Sequence, residues 1–326
     1  MADLKNEFRT FHDRIALTSG KKSALRKSRD AIRARIRSHF SESLKLKAPK
    51  FLGQGSYAMG TTVNPLDGEF DIDDGVYLQH LDSKDNSKWP IPETVHSWLV
   101  KATNGHTNET PVDRQTCVRV QYAGQYHVDL PSYAELNGEY MLAEKGSRGW
   151  HSSDPLGLTL WFRGTVKHRG EQLRRIVRYL KAWADFQSGR RGKMPSGLIL
   201  TVLAAENYRS DERDDLSLAN TSRSILAATQ QVLRVYNPID GEEELTARLS
   251  PEQKRRFQEA IFALAFDAAA AVETDDREKA SKLWRKQLGD RFPPIELHIE
   301  IQQQQKDANS LAAFYGPRNP SKPWAL

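Results

Sequence analysis

Hydrophobic positions in the second half of the chain recur at helical spacing. Between residues 171 and 187, an apolar stripe follows steps of three and four and contains Leu173, Ile176, Val177, Leu180, Trp183 and Ala184. This repeat is typical of an amphipathic helix that buries one face. Helices are also predicted at 197–208, 221–236, 251–273 and 276–288, with loops at 209–217 and 237–244 and an extended or disordered proline-rich segment at 315–324. The second half is therefore predicted to be helical.

The first half contains a short stretch in which apolar and acidic side chains alternate. Residues 53–75 read GQGSYAMGTTVNPLDGEFDIDDG and include five glycines and five acidic residues. The period of two at residues 70–73 predicts a strand, and its Asp71 and Asp73 project from the same face. A turn rich in glycine precedes this strand.

A second alternating stretch predicts a β-hairpin. Residues 118–128 alternate apolar and polar side chains on both sides of a turn at Ala123 and Gly124. In the second strand of this hairpin, His127 and Asp129 share one face. A proline at position 131 is predicted to end the strand, because proline cannot donate to the ladder.

Two helices are predicted in the first half. Residues 21–40 combine one apolar face with many Lys and Arg side chains, and residues 93–102 form a shorter apolar stripe. The basic helix has two open interpretations, a phosphate-binding or nucleic-acid-binding helix and a surface helix with a solvated basic side. The pattern as a whole predicts an α+β fold with two packed domains, 1–165 and 166–326.

Composition limits the class of protein. A chain of 326 residues with 38% hydrophobic and 28% charged residues is typical of a globular protein, and its net charge of +6 favours polyanionic partners. Its one cysteine, Cys117, excludes an intramolecular disulfide and a cysteine-rich zinc site. The longest apolar stretch, 197–205, is shorter than the roughly 20 residues of a membrane span. No secretory signal is apparent, so a cytoplasmic protein is expected.

Three interpretations of the acidic strand fit the sequence poorly. A calcium loop needs glycine at the sixth position, whereas counting from Asp71 the glycine stands at the fifth. A dinucleotide-binding fold needs a full helix after the glycine turn, but Asn64 and Pro65 leave room for barely one turn. A solvated strand face would leave neighbouring aspartates repelling one another.

A two-metal site accounts for the acidic strand. Carboxylates at positions i and i+2 of a strand can hold a pair of Mg²⁺ ions, and Asp129 of a neighbouring strand can complete the coordination. Gly55 and Ser56 can then hold nucleotide phosphates through backbone N–H groups and a hydroxyl. Asp71, Asp73 and Asp129 are therefore the candidate catalytic and metal-binding residues for phosphoryl transfer.

Three sequence elements together resemble a known family. They read QGSYAMGTTV, FDIDDGVYL and YHVDL and lie within residues 53–130. They are similar to the G-S-x-x-x-G-T, h-D-h-D-x-x-V and h-x-h-D elements of the polymerase-β nucleotidyltransferase superfamily, and especially to the bacterial cGAS/DncV-like nucleotidyltransferases. The resemblance implies a polymerase-β-like nucleotidyltransferase core with a mixed sheet. This core would pack against a helical C-terminal domain that completes the nucleotide-binding cleft.

The resemblance also implies nucleotide contacts outside the acidic motif. Lys181 and Ser196 match a lysine and a serine that hold the donor triphosphate in the family, although Lys181 could equally be a surface lysine. Gln54 matches a position that touches nucleotide, although it could simply cap the turn. Asn237 and Asp240 lie in a segment similar to a family loop near the base pocket.

Two polar residues beside the motif are expected to have other roles. Asp74 is an ordinary residue in relatives, so it is expected to support the site or to be solvated. His127 is expected to be structural, because metal binding lowers the pKa of an acceptor hydroxyl without a histidine base.

The resemblance implies a cyclic oligonucleotide synthase of bacterial anti-phage signalling. It would join nucleoside triphosphates, ATP, GTP or both, and release pyrophosphate with two Mg²⁺ ions, for which Mn²⁺ could substitute. A linear template-independent nucleotidyltransferase and an inactive nucleic-acid-binding module stay open as alternatives. A monomer without membrane contact is expected, which a regulatory protein or a nucleic acid could activate. The bases, the linkage and the ring size do not follow from the sequence.

Overall fold

The computed structural model describes residues 1–68, 70–122, 126–295, 306–307 and 309–310. The α-helices in this part are α1 (Lys5–Ile15), α2 (Ser19–Ser38), α3 (Gly55–Met59), α4 (Pro92–Thr103), α5 (Pro155–Arg169), α6 (Glu171–Arg191), α7 (Gly197–Asn207), α8 (Asp214–Thr229), α9 (Pro251–Glu273) and α10 (Arg277–Leu288). The strands in this part are β1 (Lys50–Gln54), β2 (Phe70–Tyr77), β3 (Val112–Asp113), β4 (Val118–Tyr122), β5 (Tyr126–Leu130), β6 (Ser132–Leu136), β7 (Glu139–Glu144) and β8 (Gly149–Ser152). None of these helices combines the length and the apolarity that crossing a bilayer requires.

One mixed sheet organises the first half. Its described strands run in the order β3-β4-β5-β2-β6-β7-β8, and β1 also pairs with β2. Strands β5 and β6 are parallel to β2 and keep one register on either side of Pro131, with Asp73 opposite Asp129 and Val76 opposite Ser132. The proline interrupts the strand as predicted, but its carbonyl accepts a hydrogen bond from the Val76 N–H at 2.8 Å. Pairing with β2 therefore resumes at once.

Two main hydrophobic cores correspond to the sheet and to the helices. Apolar residues of α2 and α4 pack on the sheet, and the predicted stripe of α6 lies at the centre of a second core with α7 to α10. Helix α1 belongs to this second core, because Phe8 and Phe11 each lie 5.5 Å from the ring of Tyr179, measured between centroids. The division into 1–165 and 166–326 stays a prediction, and its boundary falls inside α5.

The predicted helices agree with the structure except in one region. Helix α9 has the predicted bounds. The ends of α2, α4, α6, α7 and α10 differ from the predicted ends by at most four residues. The helix predicted at 221–236 exists but its predicted bounds are wrong, because α8 begins at Asp214 and ends at Thr229, so the loop predicted at 209–217 ends at residue 213. Asp214 and Asp215 lie in its first turn, where acidic side chains are favourable, and both accept hydrogen bonds from arginines. A run of charges that indicated a loop therefore starts a helix.

Some elements were not predicted, and some predictions fall outside the described residues. Helices α1, α3 and α5 and strands β1, β3, β6, β7 and β8 were not identified from the pattern of the sequence. The hairpin strands β4 and β5 are confirmed. The turn at Ala123 and Gly124 and the proline-rich segment at 315–324 lie outside the described residues.

Candidate active site

The parallel register of β2 and β5 brings the predicted acidic residues together. Asp73 stands opposite Asp129, and Asp71 stands opposite His127. Asp71, His127 and Asp129 each offer one ligand atom, and these atoms lie within 4.8 Å of one another, so they could hold a metal ion. Carboxylates from two strands therefore converge at one place, although Asp73 is not part of this group of ligand atoms.

The glycine-serine turn is pressed against one of these aspartates. Gly55 has a φ of 64°, and a Cβ atom at this position would lie 2.0 Å from Asp73 Oδ2. A side chain at position 55 would therefore be strained and would also collide with the carboxylate. Glycine is needed here because the backbone approaches the acidic group so closely.

The electrostatics of the site reflect crowded carboxylates. Burial, followed by the charges of Asp71 and Asp129, raises the pKa of Asp73 to about 8. Burial lowers the pKa of Lys181 to about 8, although Asp71 and Asp73 oppose this change. A cation placed between the aspartates would remove the repulsion that disfavours their ionised forms.

Asp129 carries an ion pair that sequence analysis missed. Arg119 of β4 stands directly opposite Asp129 in the hairpin. Its Nε and Nη2 donate to the two carboxylate oxygens at 2.7 and 2.6 Å. The predicted hairpin was the sequence signal for this pair. However, the alternation of side chains does not fix which residues of the two strands stand opposite each other unless the geometry of the turn is known. Asp129 therefore has a cationic partner.

A cavity of about 580 Å³ opens beside the aspartates. Its polar lining includes Gln54, Gly55, Ser56, Asp71, Asp73 and Lys181. Apolar side chains such as Leu158 of α5 and Leu198 of α7 line other parts of the wall. The strands of the first half and the helices of the second half thus both contribute to one cleft.

The polar residues around this cavity contact one another. Ser56 Oγ lies 2.9 Å from Thr62 Oγ1, and Lys181 Nζ donates to Thr61 Oγ1 at 3.2 Å. Gln54 Nε2 donates to the hydroxyl of Tyr133 at 2.9 Å. The buried Oε1 of Gln54 has no hydrogen-bond partner within the described ranges. Gln54 does not cap α3 with its side chain.

The structure does not bring three of the predicted nucleotide contacts to the cavity wall. Ser196 is the N-cap of α7, where its Oγ accepts from the Ile199 N–H at 3.5 Å, although its neighbours at 195 and 197 line the cavity. Asn237 donates to Glu243 Oε2 at 2.7 Å. Asp240 Oδ1 accepts from the Glu242 N–H at 3.1 Å. Asn237 and Asp240 therefore stabilise their own turn and lie outside the lining of this cavity.

Of the two roles expected for Asp74, the structure excludes the solvated one. Its side chain is fully buried, so it is not solvated. Arg33 of α2 donates to its two oxygens at 2.7 and 2.5 Å. The basic helix is therefore attached to the acidic strand by one of its arginines, while Lys22, Arg26 and Lys27 are exposed.

Comparisons with known proteins agree with this geometry. Residues 49–133 match the family model described as the nucleotidyltransferase domain of DncV-like cyclic GMP-AMP synthases. The chain is 30% identical over 205 residues to a cyclic GMP-AMP synthase of Escherichia albertii, an alignment that covers 59% of this chain and 44% of that protein. It is 27% identical over 295 residues to a cyclic AMP-AMP-AMP synthase of Acinetobacter sp.. That alignment covers 86% of this chain and 80% of the relative.

A solved structure has the same fold. The crystal structure of the Vibrio cholerae DncV cyclic AMP-GMP synthase with nonhydrolyzable GTP matches with a TM-score of 0.75 at 22% identity, and covers 91% of this chain and 98% of that one. At this identity, the likeness establishes the fold alone. The chain spans about half the length of the first curated relatives that it matches, 44% and 51%.

The family model and the fold together indicate a nucleotidyltransferase domain within an α+β architecture. Within this chain, residues 49–133 are similar to the nucleotidyltransferase domain of DncV-like cyclic GMP-AMP synthases.

Proposed function

We propose that this protein is a cyclic oligonucleotide synthase that joins nucleoside triphosphates, ATP, GTP or both, and releases pyrophosphate. The observation that supports this most strongly is the register that sets Asp73 opposite Asp129 beside a cavity of about 580 Å³. This volume lies within the range of small-molecule sites. The similarity to cyclic GMP-AMP and cyclic AMP-AMP-AMP synthases supports it as well.

Asp71, Asp73 and Asp129 are the residues that would hold two Mg²⁺ ions, for which Mn²⁺ could substitute. The raised pKa of Asp73, caused by burial and by its acidic neighbours, fits this assignment because divalent cations would relieve the crowding. When bound, the ions would neutralise phosphate charge and lower the pKa of the acceptor hydroxyl. His127 offers a nitrogen to the same group, which suits Mg²⁺ less well than oxygen.

In the proposed reaction, the acceptor ribose hydroxyl attacks the donor α-phosphorus, its proton passes to Asp129, and pyrophosphate leaves. Asp129 must first open one of its two bonds to Arg119. Lys181 and Ser56 hold the triphosphate. Because the pKa of Lys181 is lowered by burial only to about 8, this side chain keeps most of its positive charge at neutral pH. Further rounds extend the chain and close the ring.

The experiment that tests this function is incubation of the protein with all four nucleoside triphosphates and Mg²⁺, followed by mass spectrometry. A cyclic product that resists phosphatase and exonuclease is the expected result. A linear product with a terminal triphosphate would instead identify a linear nucleotidyltransferase. No product, together with unchanged nucleic-acid affinity in an Asp71→Asn variant, would identify an inactive binding module.

We also infer from the family resemblance that the product is a second messenger of anti-phage signalling in the cytoplasm. An expected partner is a regulatory protein or nucleic acid that raises the activity of a monomeric enzyme. Phage plating on cells that carry the wild type or Asp71→Asn, together with the intact neighbouring genes, tests the role. Equal plaque numbers in both strains would contradict it.

A further inference from the structure

One face of α6 contacts the glycine-serine turn in consecutive steps. Arg174 Nε donates to the carbonyl of Met59 at 3.0 Å, Arg178 Nη2 donates to the carbonyl of Gly60, and Lys181 Nζ donates to Thr61 Oγ1 at 3.2 Å. Positions 174, 178 and 181 are four and three residues apart, so they lie on one side of the helix. One helix therefore contacts three successive residues of the turn.

A fourth cation extends this contact from α5. Arg163 donates through both Nε and Nη2 to the carbonyl of Ala58, at 3.1 and 2.7 Å. We call Arg163, Arg174 and Arg178 the arginine clamp. Its three side chains reach the backbone carbonyls of residues 58, 59 and 60.

Helix α3 needs such support because it is very short. It has five residues, and a single helical turn does not repay the entropy of fixing its backbone. Its last carbonyls lack partners within the helix, and they form the negative end of the helix dipole. Guanidinium groups can supply both the missing hydrogen bonds and the opposite charge.

The clamp fits closely against the turn. Gly60 has a φ of 71°, and a Cβ atom there would lie 3.2 Å from Arg174 Cδ and Nε. Arg178 is also partly buried, and its Nη1 donates to His12 Nε2 at 2.8 Å. Burial, followed by the charge of Arg174, lowers the pKa of Arg178. These cations repel one another when they are gathered in one place. Their hydrogen bonds to the turn must therefore offset that repulsion, which indicates that holding the turn is their role.

We propose that Arg163, Arg174 and Arg178 are positioning residues, which lock the turn at residues 55–61 so that Ser56 and Lys181 present one preformed surface to the donor triphosphate. This inference rests on the proposed function. Because Lys181 and two members of the clamp lie on the same helix, α6 sets the distance between the cation that holds phosphate and the turn that it faces. Preformed sites bind more tightly because less freedom is lost on binding.

The test compares Arg163→Gln and Arg174→Gln with a matched control, Arg169→Gln. Arg169 makes the same kind of bond, from Nη1 to the carbonyl of Ala205 at 2.7 Å, at another helix end. Hydrogen exchange reports on the turn directly, because the N–H groups of Gly60 and Thr61 are bonded to the carbonyls of Tyr57 and Ser56. Affinity for a nonhydrolysable ATP analogue is measured on the same proteins by calorimetry.

We expect these two amides to exchange about tenfold faster in the double variant Arg163→Gln/Arg174→Gln. Analogue affinity should fall about tenfold, and KM for ATP should rise while kcat changes less than about threefold. Arg174→Lys should keep most of the affinity because it retains the charge. Arg169→Gln should leave exchange at 60 and 61 and analogue affinity unchanged.

Unchanged exchange at these amides in the double variant, or a loss of affinity equal to that of Arg169→Gln, would overturn the proposal. A fall in thermal stability alone, with exchange at 60 and 61 and affinity as in the wild type, would also overturn it. Failure of the proposed function is seen separately, as a wild type that binds the analogue but makes no product. In that case, the exchange and binding data still test the clamp.

Discussion

Two buried carboxylate groups in this protein have opposite environments. At the active site, Asp73 lies between Asp71 and Asp129, and burial followed by these charges raises its pKa to about 8. At the contact of α6 with α8, burial alone would raise the pKa of Asp214, but hydrogen bonds from Arg175, Gln172 and Tyr179 lower it. The difference is therefore not burial but whether the protein supplies partners for the charge.

The same contrast exists between neighbours on one strand. Asp73 faces the cavity, whereas Asp74 faces away from it and forms a bidentate ion pair with Arg33. Neighbouring residues of a strand point to opposite faces, so one chain segment places one aspartate at the cavity and the next beside an arginine. A carboxylate whose pKa is raised by burial and by like charges is a candidate for binding a cation.

The largest effect that separates the two groups is expected from Asp73→Asn. Product formation should fall at least about 1000-fold, because the variant loses a ligand of the proposed metal site. Unfolding in EDTA should occur at a higher temperature than in the wild type, because the repulsion of Asp71 and Asp129 is removed. Pyrophosphate release and calorimetric melting measure the two effects. Asp74→Asn is the matched variant and should melt at a lower temperature than the wild type. A melting temperature of Asp73→Asn below that of the wild type would contradict the comparison.

Asp214→Asn should have the largest effect on stability. We expect the free energy of unfolding to fall by about 3 kcal/mol, because Arg175 and Tyr179 lose a shared, largely buried acceptor. Urea unfolding followed by circular dichroism measures this. Affinity of the folded variant for a nonhydrolysable ATP analogue serves as the control and should change little. A loss below about 0.5 kcal/mol would place Asp214 among ordinary surface residues.

Addition of metal should stabilise the wild type but not its site variant. Mg²⁺ at about 100 times its dissociation constant should add about 3 kcal/mol to the free energy of unfolding, because it binds the native state alone. Asp71→Asn combined with Asp73→Asn should abolish this gain, and EDTA should reverse it in the wild type. An equal gain in both proteins would show that Mg²⁺ binds elsewhere.

The pH dependence of stability should differ in sign between the two groups. Because the pKa of Asp73 is raised in the folded state, the native protein binds the extra proton, so its metal-free stability falls as the pH rises from about 4 to about 8. The lowered pKa of Asp214 adds stability above its unfolded pKa, which is lost as the pH falls through the folded value. Urea unfolding of the wild type and Asp73→Asn, from about pH 5 to about pH 8, should reveal a difference in slope worth at least about 1 kcal/mol. Parallel curves of stability against pH for the two proteins would contradict a raised pKa of Asp73.

The smallest effects are expected at Asn237 and Asp240. Their side chains bond within their own turn and lie outside the cavity lining. Asn237→Ala and Asp240→Ala should therefore change KM for ATP less than about twofold, as is usual away from a binding site. Steady-state kinetics measures this, and a tenfold increase would instead support the contact that the sequence resemblance implies.

Much of the site was predictable because its signals are local. Alternation at 70–73 predicted the common face of Asp71 and Asp73, and the hairpin pattern predicted the strand that carries Asp129. The helix of Lys181 was evident from its apolar stripe. Arg119, Arg33 and the arginine clamp were not predicted, because each acts on a partner that lies far along the chain or across a hairpin of unknown register.

By itself, the sequence predicted the candidate catalytic aspartates and the strands that carry them, because hydrophobic period and turn composition act over a few residues. Only the tertiary structure decided the environment of each charge. Strand register set Asp73 against Asp129, packing of α2 gave Asp74 its arginine, and the docking of α5 and α6 brought cations to the end of α3. Desolvation and Coulomb interactions depend on distances between distant segments, and those distances arise only when the chain is folded.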